Sequence, residues 1–95
     1  MPALHYRITG AVQGVGFRYF MCIEARRLRL AGWVRNLGDG SVEALAAGEE
    51  TALNHLSDWA RAGPSGSRVD CVQVRAASDS EAADAAHSFN QRSSA

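Results

Sequence analysis

An α+β sandwich of the split β-α-β type is predicted for this 95-residue chain by three features of its sequence. Apolar residues alternate with a period of two near the N-terminus. Apolar stripes of helical spacing follow at two places, and between them an Asp-Gly turn joins two strand-like runs. Tyr6, Ile8, Gly10 and Val12 alternate with His5, Arg7, Thr9 and Ala11, which marks a half-buried first strand. Gln13-Gly14-Val15-Gly16 interrupts it. Phe17, Met21, Ala25 and Leu28 then recur at i, i+4, i+8 and i+11, one stripe of a helix running to about Leu30. Residues 32–36 and 41–47 read as strands joined through Asp39-Gly40, a strong hairpin signal.

Glu49 and Glu50 open a second helix, where acids suit the positive end of the dipole; Leu53, Leu56 and Ala60 share one face, and Gly63-Pro64 ends it. Residues 68–75 form a fourth strand. Its Val69 and Cys71 fall on one phase and Val72 and Val74 on the other, which predicts a bulge or two buried faces. Residues 76–86, built of Ala, Ser and acids, read as a linker or frayed turn, and residues 87–91 add a short last strand around Phe89. The order is β-α-β-β-α-β. With right-handed crossovers it leads to the ferredoxin-like topology: a four-stranded antiparallel sheet, five-stranded if the last segment joins, with two helices on one face. One domain is expected over residues 1–95, with a core of about 4–90 and residues 91–95 as a disordered tail.

Composition narrows the function classes. With 46% hydrophobic residues the chain can fill one core, which excludes intrinsic disorder. Ten cations balance ten acids, which argues against a protein that coats nucleic acid or an anionic membrane. All ten cations are Arg, able to grip oxyanions with two hydrogen bonds at once. Their distribution is uneven: residues 1–37 hold six Arg and one Glu (+5), residues 38–95 four Arg and nine acids (−5). An anion site is therefore expected in the first 37 residues. Cys22 and Cys71 lie far apart, without a CxxC pair, and no apolar run reaches the length of a secretory signal or a membrane span. The reading is a reduced, cytoplasmic protein with apolar buried thiols.

The chemistry concentrates where the first strand enters the first helix. Consecutive N–H groups at Gly14, Val15, Gly16, Phe17 and Arg18 can converge on an anion there, aided by the helix dipole, although glycine turns before helices also occur without any ligand. Arg18 adds weight, because a cation in the first turn opposes the dipole at a cost of roughly 0.3–1 kcal/mol, and such conflicts are expected where function requires them. Asn36 ends the second strand, and on its own reads equally well as a turn residue. His5, His55 and His87 stand on unrelated elements, and Asp39 and Asp58 form no carboxylate cluster, so no metal or cofactor is expected.

The segment Gly10-Ala11-Val12-Gln13-Gly14-Val15-Gly16-Phe17-Arg18 resembles the V-Q-G-V-x-F-R signature of the acylphosphatase family. Residues 32–43 resemble its G-W-V-x-N-x-x-D-G-x-V block, and Gly48, Gly63-Pro64, Val69 and Phe89 look like later landmarks. The resemblance covers roughly residues 4–90. It implies hydrolysis of the carboxyl–phosphate bond of acyl phosphates to carboxylate and inorganic phosphate, with Arg18 binding the substrate phosphate and Asn36 carrying the attacking water. Such a reaction needs no general acid, since a carboxylate with an ordinary pKa near 4 leaves unprotonated. The implied partners are a small-molecule acyl phosphate and inorganic phosphate as product and competitor, with a monomer and neither nucleic acid nor membrane. Arg29 stands where the family commonly has Gly at the end of the first helix, so a left-handed residue there would cost roughly 1–2 kcal/mol or give way to another turn.

Two other readings compete. A ferredoxin-like nucleic-acid binding module would share the fold, and residues 13–20 superficially resemble its aromatic RNA-binding octamer, but here they form a loop entering a helix rather than the third strand. A catalytically silent acylphosphatase-like interaction module, or a piece of a carbamoyl-transfer maturation enzyme, is the other; keeping both Arg18 and Asn36 argues against silence.

Overall fold

The computed structural model describes all residues, Met1–Ala95, as one five-stranded sheet with helices packed on it. The elements are β1 (Ala3–Ala11), α1 (Phe17–Arg27), β2 (Ala31–Asn36), β3 (Val42–Ala47), α2 (Glu50–Ala62), β4 (Arg68–Ala76), α3 (Asp79–Ala83) and β5 (Phe89–Gln91). Strand order is β4-β1-β3-β2-β5, the ferredoxin-like arrangement with one added edge strand. β1, β2, β3 and β4 pair antiparallel; β5 joins β2 in parallel, Gly32 opposite Phe89, so the sheet is mixed rather than wholly antiparallel.

Alternation along the strands sends Tyr6, Ile8, Val34, Val42, Ala44 and Ala46 into one core with Phe17, Met21, Cys22 and Ala25 of α1 and Leu53, Leu56 and Ala60 of α2. The Tyr6 hydroxyl, buried under α2, lies 2.9 Å from the Ser57 hydroxyl, so its polar end is satisfied inside an apolar layer. The predicted bulge forms between β1 and β4. Thr9 pairs with Cys71 but Gly10 with Val69, which leaves Asp70 as the extra residue and brings Val69 onto the same apolar face as Val72 and Val74.

Four further features differ from the sequence reading. α1 stops at Arg27, because Arg29 takes a left-handed φ of 59° and the Leu30 N–H bonds back to the Ala25 carbonyl at 2.9 Å while that of Arg29 bonds to Arg26. This is a Schellman closure built on an Arg instead of a Gly. The segment expected as a linker contains α3, nucleated by a capping box in which Ser78 and Glu81 each bond the other's N–H. α3 touches β3, where Leu45 is buried on the face opposite α1 and α2. Cys71 is exposed and only Cys22 is a buried thiol, since the bulge turns Cys71 outward; both are free. Residues 92–95, expected to belong to a disordered tail, continue past β5 along the same side of β2. The Arg92 N–H donates to the Val34 carbonyl (2.8 Å) and that of Ala95 to the Asn36 carbonyl (3.0 Å), acceptors that an edge strand otherwise leaves open.

Candidate active site

Positive φ at Gly14 (76°) and Gly16 (77°), with Val15 between them on the ordinary side, curls the loop after β1, the kind of turn in which successive N–H groups can converge. Gly16 is also the N-cap of α1. It carries no side chain that could accept the orphan donors of the first turn, and no acid lies in that turn. The first helical N–H to find a partner is that of Phe20, which bonds the Gly16 carbonyl at 3.0 Å. The six N–H groups of residues 14–19 make no hydrogen bond within the protein. So long a run of unpaired donors, at the positive end of a helix, has the chemistry to accept an anion.

Arg18 is set apart by its lack of partners. Eight of the ten Arg side chains donate to carboxylates, amides or carbonyls of the protein; Arg18 and Arg29 do not. Arg29 is at the far end of α1. Arg18 is half-buried beside the loop, with its fork of donors and full charge uncommitted.

Asn36 reaches the same place from the sheet. Alternation along β2 puts it on the face of Val34, the side covered by α1, and the hairpin after it is fixed by the Leu37 N–H bonding the Ser41 carbonyl at 2.9 Å. The Ser41 hydroxyl and N–H both donate to Asp39. With Arg7 beside it as well, the Asp39 carboxyl is held down to about 2, so the turn stays charged and closed at any physiological pH. No protein group bonds the Asn36 side-chain amide.

Gly14, Gly16, Phe17, Arg18 and Asn36 line one cleft of about 140 Å³, together with Gln13, Tyr19 and Gln91. Val15 differs from its neighbours: its side chain packs against the core, and it does not line the cleft. Gln13 is a residue the sequence reading missed. Its Nε2 donates to the Leu37 carbonyl (2.8 Å) and the Ser41 carbonyl (2.9 Å), which ties the loop of residues 14–18 to the hairpin that carries Asn36. Gln91, also missed, enters from β5, and no local pattern could have placed it there.

The acylphosphatase family model matches residues 4–90. This chain belongs to the acylphosphatase family. An acylphosphatase of Acidovorax is 50% identical over 88 residues, 93% of this chain and 87% of that one. The crystal structure of the acylphosphatase from Bacillus subtilis superposes with a TM-score of 0.86 at 37% identity, over 97% of this chain and 99% of the other. Full-length HypF, in its phosphate- and nucleotide-bound form, matches with a TM-score of 0.85 at 32% identity; 98% of this chain covers 12% of that longer one. As an acylphosphatase, this chain hydrolyses acyl phosphates. The fold of the family accounts for the arrangement seen here: the loop between β1 and α1 and the end of β2 meet at one end of the sheet.

Proposed function

We propose that the acyl phosphate binds with its phosphoryl oxygens on the N–H groups of residues 14–18 and the Arg18 guanidinium, while the Asn36 amide holds the attacking water. The observation that carries this reading is the gathering of residues with uncommitted donors at one cleft: Gly14, Gly16, Phe17, Arg18 and Tyr19 with free N–H groups, the free Arg18 side chain and the free Asn36 amide. Charge spreads over the equatorial phosphoryl oxygens as the bond to the carboxylate breaks, and fixed donors stabilise it without reorganising. Water attacks phosphorus, the P–O bond to the acyl oxygen cleaves, and the carboxylate leaves with the electron pair. The proton of the water goes to a phosphoryl oxygen or to solvent. No metal is needed for this sequence of events, and no three His, Cys, Asp or Glu side chains gather to hold one.

Residues 1–95 form a single acylphosphatase-like domain with a core of about 4–90, acting as a monomer in the cytoplasm on a small molecule, without nucleic acid or membrane. A formal net charge of zero supports this, and no helix is long and apolar enough to cross a membrane. Steady-state hydrolysis of acetyl phosphate beside a phosphate monoester, each with and without EDTA, tests the mechanism. Turnover of the acyl phosphate alone, unchanged by the chelator and competitively inhibited by inorganic phosphate, is expected; a loss with EDTA that Mg²⁺ restores would overturn the metal-free route.

A further inference from the structure

Gln91 lines the cleft beside Asn36 and Arg18, yet nothing in the protein engages its side-chain amide. The hydrogen bonds around it run through Arg26, Asn90 and Arg92 and leave that amide uncommitted. β5 passes from the core into the cleft: Phe89 is fully buried, whereas Gln91, two residues on and on the same face, is exposed. Its backbone is held from two sides. Pairing with β2 sets Gln91 opposite Val34, and the next N–H, that of Arg92, donates to the Val34 carbonyl at 2.8 Å. From α1, Arg26 donates to the Phe89 carbonyl (2.8 Å) and to the Asn90 side chain (3.0 Å). An amide carried on so fixed a strand can hold a small ligand without the cost of ordering its own backbone.

Register brings two amides together. Residues opposite one another in a sheet share a face, so Gln91, Val34 and, two residues further along β2, Asn36 are all on the side covered by α1. A rise of about 3.3 Å per residue and a strand spacing of about 4.8 Å put the Gln91 and Asn36 Cα atoms roughly 8 Å apart, a span that their side chains and one shared water can bridge. Resting on the reading of Asn36 as the residue that carries the attacking water, we propose that Gln91 is a second residue holding that water. A water kept by one hydrogen bond still turns about it; a second bond fixes which lone pair faces phosphorus. Asn36 Nδ2 donates to one lone pair and Gln91 Oε1 accepts one hydrogen. The remaining lone pair bonds phosphorus as the P–O bond to the acyl oxygen breaks and the carboxylate leaves with its electron pair, and the remaining hydrogen passes as a proton to a phosphoryl oxygen or to solvent. Both amides are neutral, so neither sets a negative charge against the substrate phosphate.

The experiment is a double-mutant cycle on acetyl phosphate turnover in the parent chain, Asn36→Ala, Gln91→Leu and the pair, each checked by a thermal melt and by inhibition with inorganic phosphate. Gln91→Leu keeps much of the side chain's bulk and removes its polar end. It is expected to lower kcat by about tenfold while KM and phosphate inhibition hold, and Gln91→Ala should behave alike. In the Asn36→Ala background the same substitution should lower kcat by less than about twofold, because the shared water has already lost its place. Damage to β5 would instead multiply with the loss at Asn36. Parent-like kcat in Gln91→Leu and Gln91→Ala overturns the proposal, as does a tenfold loss that persists in the Asn36→Ala background. Weakened phosphate inhibition that matches the fall in kcat overturns it too, since Gln91 would then be a phosphoryl contact. Failure of the Asn36 reading shows separately, as Asn36→Ala with the parent's kcat.

Discussion

Arg18 and Asn36 share a cleft but are expected to act at different moments. The Arg18 guanidinium would grip the phosphoryl group before and during the reaction, so Arg18→Ala should weaken inhibition by phosphate and also lower kcat. Asn36 would touch only the water. Asn36→Ala should drop kcat by about 10² or more and leave phosphate affinity nearly unchanged, a contrast readable by phosphate titration calorimetry beside kinetics. Equal loss of phosphate affinity in both variants would return Asn36 to the role of a hairpin-turn residue. Gln13 braces one against the other: Gln13→Leu would take one donor from each of the Leu37 and Ser41 carbonyls, leaving them only their partners inside the hairpin, and free the hairpin to shift against the loop of residues 14–18. Since misplacement on the scale of 1 Å can cost about 10² in rate, kcat should fall by about tenfold or more, with inhibition by phosphate changed much less.

At the scale of elements, the closure of α1 is where the chain accepts strain. Arg29 holds φ 59° where a residue with a Cβ is disfavoured, yet the two Schellman bonds form around it. Arg29→Gly should stabilise the fold by about 1 kcal/mol, raising the melting temperature by about 4–8 °C in a domain of this size, with kcat unaltered because the far end of α1 carries no part of the cleft. No rise on melting would mean that some compensating contact of the Arg29 side chain exists. Which elements were legible in the sequence follows from the same local logic. β1, α1, the Asp39-Gly40 hairpin and α2 each carry their own period and their own stop signal, and the loop of residues 13–18 lies where two periods meet. Arg18 could be singled out because a cation is awkward at that junction, whereas Asn36, equally apt as a turn residue, stands out only through the resemblance of residues 32–43 to the acylphosphatase block. α3 had a local signal too, the Ser78-x-x-Glu81 box, hidden by an alanine-rich setting without an apolar face. The parallel pairing of β5, the entry of Gln91 into the cleft and the bracing by Gln13 depend on contacts across more than 20 residues, and nothing within a local window encodes them.

For the whole molecule, the imbalance between the basic first 37 residues and the acidic remainder is resolved by folding them together. Arg7 pairs with Asp39, Arg35 with Glu43, and the Glu43 carboxylate also meets His5 at 2.8 Å. Within the acidic part, Arg75 pairs with Glu81 and Arg92 with Asp84. Every one of these carboxyls is pulled below its ordinary range. Ser41 and then Arg7 bring Asp39 to about 2; Arg75 lowers Glu81 and Arg92 lowers Asp84; at Glu43, burial pushes upward but His5 and Arg35 outweigh it. Carboxyls with lower pKa values folded than unfolded bind fewer protons in the native state, so acid favours unfolding. Their contribution is complete well above the ordinary carboxyl values of about 4, where the unfolded carboxyls are ionised, and is lost as pH falls from about 5 toward 2. Most of these pairs are exposed, so each is worth little alone and salt should weaken them further. The urea midpoint is accordingly expected to be flat from pH 7 to 5 and to decline steadily from pH 4 to 2, with the slope m constant. Asp39→Asn should make the decline shallower by removing one of the titrating groups, at the expense of a lower midpoint at pH 7, where the charged turn no longer holds Arg7 of β1. A midpoint that rises on acidification, or an Asp39→Asn profile parallel to the parent's at every pH, would show that these ion pairs do not govern stability in acid.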